Sequence, residues 1–142
     1  MSLNVLIVDD SAVMRQVILK TLRLSGLSLG EVHQAGNGAE GLEVISAEWI
    51  DLVLVDINMP VMNGQEMIEK LRANPDSARL PVIVVSTDAS NARVEMMQRH
   101  GAEYVHKPFT AEELRDKIFT VTGANHDELV DQRAVQGDGP DF

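Results

Sequence analysis

Asp9 and Asp10 close the apolar run Leu3-Asn4-Val5-Leu6-Ile7-Val8, and Asp56 closes Leu52-Val53-Leu54-Val55. Lys107 closes Tyr104-Val105-His106 and is followed at once by Pro108. Three carboxylates held together repel one another, so a site built from them invites a divalent cation. Hard carboxylate oxygens suit Mg2+ or Mn2+ rather than zinc. A strand-end aspartate can also act as a nucleophile, and a lysine ending a buried strand needs an anionic partner. Each signal is weak alone, because an acid between a strand and a helix often serves only as a cap. What joins them is position: each is the first polar residue after a run of buried type.

These residues meet only if the runs are parallel strands of one sheet, where ligands bind outside the carboxyl ends. The chain reads that way, since strand-like and helix-like segments alternate strictly. Strands are expected at 3–8, 31–35, 51–55, 81–85 and 103–106. A helix is expected from Ser11 to Ser25, where Met14, Ile18 and Leu22 recur at helical spacing and Gly26 is a stop. Asn37 caps a second helix ending near Glu48. The turn-rich loop Asn58-Met59-Pro60-Val61-Met62-Asn63-Gly64 precedes a third helix, Gln65 to Ala73, which ends before Asn74-Pro75. Ser90 opens a fourth helix that Gly101 ends. Thr110 with Glu113 is a capping box for the fifth, whose stripe is Leu114, Ile118 and Val121 and whose end is Gly123. Alternation along the fifth strand puts Val105 and Lys107 on one face and Tyr104 and His106 on the other.

The 142 residues fit one domain, and the 44% hydrophobic content is enough for a core. Cysteine is absent, which removes disulfides and thiolate metal sites. No apolar run approaches the roughly 18 residues of a membrane span. No signal peptide precedes the first strand, so a cytoplasmic protein is expected. The net charge of -10 disfavours nucleic acid and anionic membranes as partners, although most of it reads simply as solubility. Five acids and one base follow Gly123, so much of the imbalance lies in the tail. The expected division is a domain over 1–123 and an acidic tail over 124–142, loose or with one short helix from Asp127 to Val135. With no further domain expected after Gly123, output must pass through a partner.

The stretch from Leu3 to about Thr122 resembles the CheY-like receiver domains of two-component response regulators. The motifs that carry the resemblance are Val8-Asp9-Asp10-Ser11, Val55-Asp56-Ile57-Asn58-Met59-Pro60 with Asn63-Gly64, Val85-Ser86, and Lys107-Pro108-Phe109. The resemblance implies a flavodoxin-like, doubly wound α/β fold with strand order 2-1-3-4-5 and five helices. It implies that Asp56 accepts a phosphoryl group from a histidine kinase. Asp10, Asp56 and the backbone carbonyl of Asn58 would bind Mg2+ (or Mn2+), with Asp9 helping through water. Lys107 and the Ser86 hydroxyl would hold phosphoryl oxygens, and the bond before Pro108 would be cis. Ser86 and Tyr104 would form the switch to a surface of helix four, strand five and helix five, with Met96, Met97, His106 and Phe119 as candidates on it, each also expected to be partly core. Asn58 and Asp88 resemble the pair found in receivers with short-lived acyl phosphates. Thr87 departs from the small residue usual there, and its branched side chain is expected to narrow access to Asp56.

The segment Asp9 to Arg15 is similar to chemotaxis receivers, so a chemotaxis or motor component is the expected downstream target. Other readings stay open. A haloacid dehalogenase-like phosphatase also uses a strand-end aspartate with Mg2+, but its second aspartate is replaced here by Asn58. A flavodoxin-type flavin binder would need a Ser/Thr/Gly-rich loop where Asp9-Asp10-Ser11 stands. A receiver that never phosphorylates is disfavoured because every key residue is present, and the chain could be the receiver fragment of a larger regulator.

Overall fold

Strands that are apolar on both faces must be covered on both faces, and the chain supplies helices for each side. The structure is a computed structural model that describes residues 2–87 and 90–123. Its strands are β1 (Leu3–Val8), β2 (Leu29–Ala35), β3 (Leu52–Val55), β4 (Val82–Ser86) and β5 (Glu103–His106). They alternate with α1 (Ala12–Leu24), α2 (Gly38–Ala47), α3 (Gly64–Ala73), α4 (Asn91–Arg99) and α5 (Ala111–Thr122). All pairings are parallel, and the order is β2-β1-β3-β4-β5, as expected for a flavodoxin-like fold.

Period-two alternation sorts each strand's side chains between two cores. Leu3, Val5, Ile7, Leu52, Leu54, Ile83, Val85 and Val105 pack with Ile18, Leu22, Leu114 and Ile118 of α1 and α5. Leu6, Val8, Val53, Val55, Val82 and Val84 pack on the other face with Met67, Ile68 and Leu71 of α3 and Met97 of α4. Met97 is core, 1% exposed, in line with the expectation that it packs inward. His106 is exposed and Phe119 is half-buried.

β2 starts two residues before its expected position. Asn4 interrupts the apolar run of β1, and the β1–β2 register breaks between Leu3 and Val5. There the Asn4 side chain accepts from the Glu31 N–H at 2.9 Å, standing in for a ladder bond. A Cβ at Gly30 would lie 2.2 Å from that Asn4 oxygen, so a larger residue there would displace the Asn4 side chain from its bond. The polar Leu29-Gly30-Glu31 stretch hides this strand start from a hydrophobicity reading.

The caps at Asn37, Thr110 and Gly123 follow the sequence signals, whereas Ser90 stands at the N-cap of α4 without a side-chain cap hydrogen bond. Asn37 accepts from the Glu40 N–H, Thr110 and Glu113 form a capping box, and Gly123 takes a left-handed conformation at φ 68 to end α5. A second capping box, Asn63 with Glu66, opens α3 one residue before its expected start. Among the described residues, no helix is long and apolar enough to cross a membrane.

Candidate functional site

Parallel pairing carries the site residues one step past the strands and still holds their backbones. The Asp9 N–H donates to the Ala35 carbonyl at 3.1 Å, and the Asp56 N–H to Val8 at 3.0 Å. The Lys107 N–H donates to Ser86, also at 3.0 Å. Each group is thus fixed by the ladder of the neighbouring strand rather than by a free loop. Asp9, Asp10 and Asp56 each offer a carboxylate oxygen within 4.8 Å of the others.

The individual environments differ. Asp9 is 2% exposed, and its Oδ1 accepts from the Ser11 N–H at 2.9 Å. Its Oδ2 pairs with Lys107 Nζ at 3.2 Å, so both oxygens already have protein partners. Asp10 is exposed and open to solvent. Asp56 is half-buried, and its Oδ1 accepts from the Ile57 N–H at 2.8 Å, while Oδ2 lies 3.7 Å from Lys107 Nζ. Burial pushes the Asp56 carboxyl above the ordinary aspartate range. Lys107 opposes that rise, Asp9 adds to it, and the N–H groups of Ile57 and Asn58 reduce it.

Hard oxygens from three carboxylates, one of them solvent-facing, are a donor set that fits Mg2+ or Mn2+. The lysine supplies a single positive charge shared between Asp9 and Asp56, which leaves the cluster net negative. The Lys107–Pro108 peptide is cis.

Ser86 is buried at the end of β4, 1% exposed. Its carbonyl accepts from the Tyr104 hydroxyl at 3.0 Å, which links β5 to the residue at the site's rim. Thr87 is exposed and lines an apolar groove of about 260 Å³ with Met14, Val17, Pro108 and Phe109, beside Lys107. It stands on the α1 side of the site. Asn58 is exposed and accepts from Arg93 of α4 at 3.4 Å. Asp88 and the tail 124–142 lie outside the described residues.

The structure adds residues that sequence reasoning passed over. Arg15 of α1 donates to the Asp9 carbonyl at 2.5 Å and to Gln34 at 2.9 Å, fastening the acidic pair to β2. Gly64 sits so close to the acidic strand end that a Cβ would lie 2.3 Å from the Asp56 carbonyl oxygen. The Asn-x-x-Glu spacing of Asn63 and Glu66 signals the start of α3, but nothing local signals the Arg15 contacts, which span distant elements.

A family model described as response regulator receiver domain matches residues 5–119. The chain is 37% identical to the chemotaxis protein CheY1 of Helicobacter pylori, covering 87% of this chain and 99% of that one. It is 34% identical to a chemotaxis protein CheY homolog of Campylobacter jejuni, over 89% of this chain and 97% of the relative. Chemotaxis protein CheY4 of Vibrio cholerae superposes with a TM-score of 0.75 at 31% identity, covering 85% of this chain and 99% of that one. The receiver domain of a sensor histidine kinase from Pseudomonas aeruginosa, solved with magnesium coordinated in its active-site cleft, gives 0.74 at 26% identity over 87% and 100% of the two chains.

Proposed function

The chain belongs to the response regulator receiver domain family, and on that premise we propose that it is a phosphorylatable switch whose acceptor is Asp56. The observation that carries the reading is the single strand edge at which Asp9, Asp10, Asp56 and Lys107 converge. A histidine kinase presents a phosphohistidine, and an Asp56 oxygen attacks phosphorus in line. The P–O bond to Asp56 forms as the P–N bond of the donor breaks, and the imidazole leaves. Lys107 already lies between Asp9 and Asp56, so it reaches the incoming phosphoryl oxygens by a small shift. The buried Ser86 hydroxyl is the neutral partner on the other side.

Asp10, Asp56 and the Asn58 carbonyl would hold Mg2+, with Asp9 acting through water because its own oxygens serve Ser11 and Lys107. The ion would supply charge neutralisation for the crowded oxygens at the acceptor. Docking of the kinase has a ready surface. Val17 is exposed on α1 and, with Met14, Pro108 and Phe109, forms an apolar rim beside the site, and Val13 of the same helix is exposed as well.

Output passes through α4, β5 and α5, with Tyr104 as the relay. Its hydroxyl reads the Ser86 backbone, so movement of Ser86 towards a phosphoryl group alters the ring's anchor. Similarity to chemotaxis proteins supports a chemotaxis-type partner. Asn58, Thr87 and Asp88 set the lifetime of the acyl phosphate. The receiver comprises 1–123, and 124–142 is an appended acidic segment.

Incubation with Mg2+ and a small phosphoryl donor tests the reading by intact mass. One phosphoryl group per chain, lost in Asp56→Asn, is expected. Fast multiple turnover of phosphate esters would instead favour a haloacid dehalogenase-like phosphatase, the reading that Asn58 speaks against. Absence of any adduct would leave a receiver that does not phosphorylate.

A further inference from the structure

Arg93 lies in the first turn of α4, and its Nη1 donates to Asn58 Oδ1 at 3.4 Å. The two residues are 35 positions apart, so the bond spans from α4 to the loop after β3. Asn58 stands two residues beyond Asp56 and is exposed at the mouth of the site. A guanidinium has donors only, so it engages the amide oxygen of Asn58 and turns the NH₂ elsewhere. Resting on the reading of Asp56 as phosphoacceptor, we propose that Arg93 is a positioning residue that lengthens the life of the acyl phosphate by holding Asn58.

Hydrolysis requires a water in line with the Asp56–phosphorus bond. The water oxygen bonds to phosphorus, the P–O bond to Asp56 breaks, the carboxylate is regenerated, and the water's proton passes to the departing phosphate or to solvent. The side-chain Oδ1 of Asn58, two residues beyond Asp56, can accept a hydrogen from such a water and aim it. Donation from Arg93 takes up one of that oxygen's two lone pairs and fixes its direction, with the guanidinium placed against it. Both effects slow attack by water. The same bond makes α4, part of the proposed output surface, sensitive to what happens at Asn58.

The test uses the full chain. Wild type, Arg93→Ala, Arg93→Lys, Asn58→Ala and the Arg93→Ala/Asn58→Ala pair are loaded with a small acyl phosphate donor and Mg2+. Donor is then removed, and loss of the adduct is followed by intact mass. Arg93→Ala is expected to lose phosphate faster by roughly threefold or more, with partial restoration in Arg93→Lys. In the Asn58→Ala background the same change should have no effect, a coupling that a merely structural role would not produce. Equal or slower loss in Arg93→Ala overturns the proposal, as does the same acceleration without Asn58. No adduct even on wild type overturns the phosphoacceptor reading and carries this one with it, whereas an adduct with equal decay overturns only the role of Arg93.

Discussion

At the scale of single residues, the site is under electrostatic tension. Asp56 ionises less readily than an ordinary aspartate, chiefly because it is partly buried and with a further rise from Asp9. In the unfolded chain the same carboxyl titrates in the ordinary range. Between those two values the folded state binds more protons than the unfolded one, so this group's contribution to stability falls as pH rises through the window. Above it, the cost of the buried charge stays in full. Asp56→Asn removes that cost. In Mg2+-free buffer at neutral pH its melting temperature should exceed wild type by a few degrees, and the gap should shrink as pH falls through the raised Asp56 value towards the ordinary aspartate range, below which it is gone. Calorimetry across pH reads both, and a constant gap would contradict the assignment. Mg2+ offsets the same repulsion, so it should raise the wild-type melting temperature, and do so less in Asp10→Asn. A second residue carries strain of another kind. Val61 is β-branched, 82% exposed, and held at φ 69 by a turn in which the Met62 N–H donates to Pro60 at 2.8 Å. Val61→Asn relieves the left-handed conformation and should stabilise by about 1 kcal/mol, read as a higher urea midpoint.

At the scale of elements, the loop from β3 to α3 sets where Asp56, the proposed acceptor, stands. The Gly64 N–H donates to Ile57 at 2.9 Å, and the Gly38 N–H of α2 donates to Met62 at 3.0 Å. The loop is thus closed on itself and docked on a second helix. Gly64→Ala puts a methyl group 2.3 Å from the Asp56 carbonyl oxygen, which backbone cannot accommodate without moving. It should cost about 2–4 kcal/mol, and the folded fraction should load phosphate slowly. Wild-type loading by Gly64→Ala would show that the approach is not constraining. The strand ends, the capping residues Asn37 and Thr110, and the cluster of charges were readable because hydrophobic runs and caps are local signals. The start of β2 was not, since there the Glu31 N–H bonds to the Asn4 side chain in place of a ladder carbonyl, a pairing that only the fold brings together. Arg15 and Arg93 escaped for the same reason: each is an ordinary helix-surface residue until a distant strand end or loop arrives beside it.

At the scale of the whole molecule, the sheet joins the acidic strand edge to the face proposed for output. The order β2-β1-β3-β4-β5 puts the acidic residues at the centre and β5 at the rim, so Lys107 and Tyr104 extend the site outward. Periodicity assigns side chains to faces, and Met97 of α4, expected to be partly core, is packed against the sheet. The same two cores bear on where the folding unit ends. Leu114 and Ile118 of α5 are fully buried against α1 and the sheet, so α5 is indispensable. Gly123 then closes α5 by donating to the Phe119 carbonyl at 3.1 Å, in the left-handed conformation that ends helices. Among the described residues, those that form both cores and that place Asp9, Asp56, Ser86 and Lys107 lie before it. A chain ending at Gly123 should therefore match the full chain in melting temperature to within the error of calorimetry and load phosphate at the same rate. A chain ending at Thr110 should not fold. If removing 124–142 instead lowers the melting temperature or changes loading, the acidic segment is part of the receiver rather than an appendage to it.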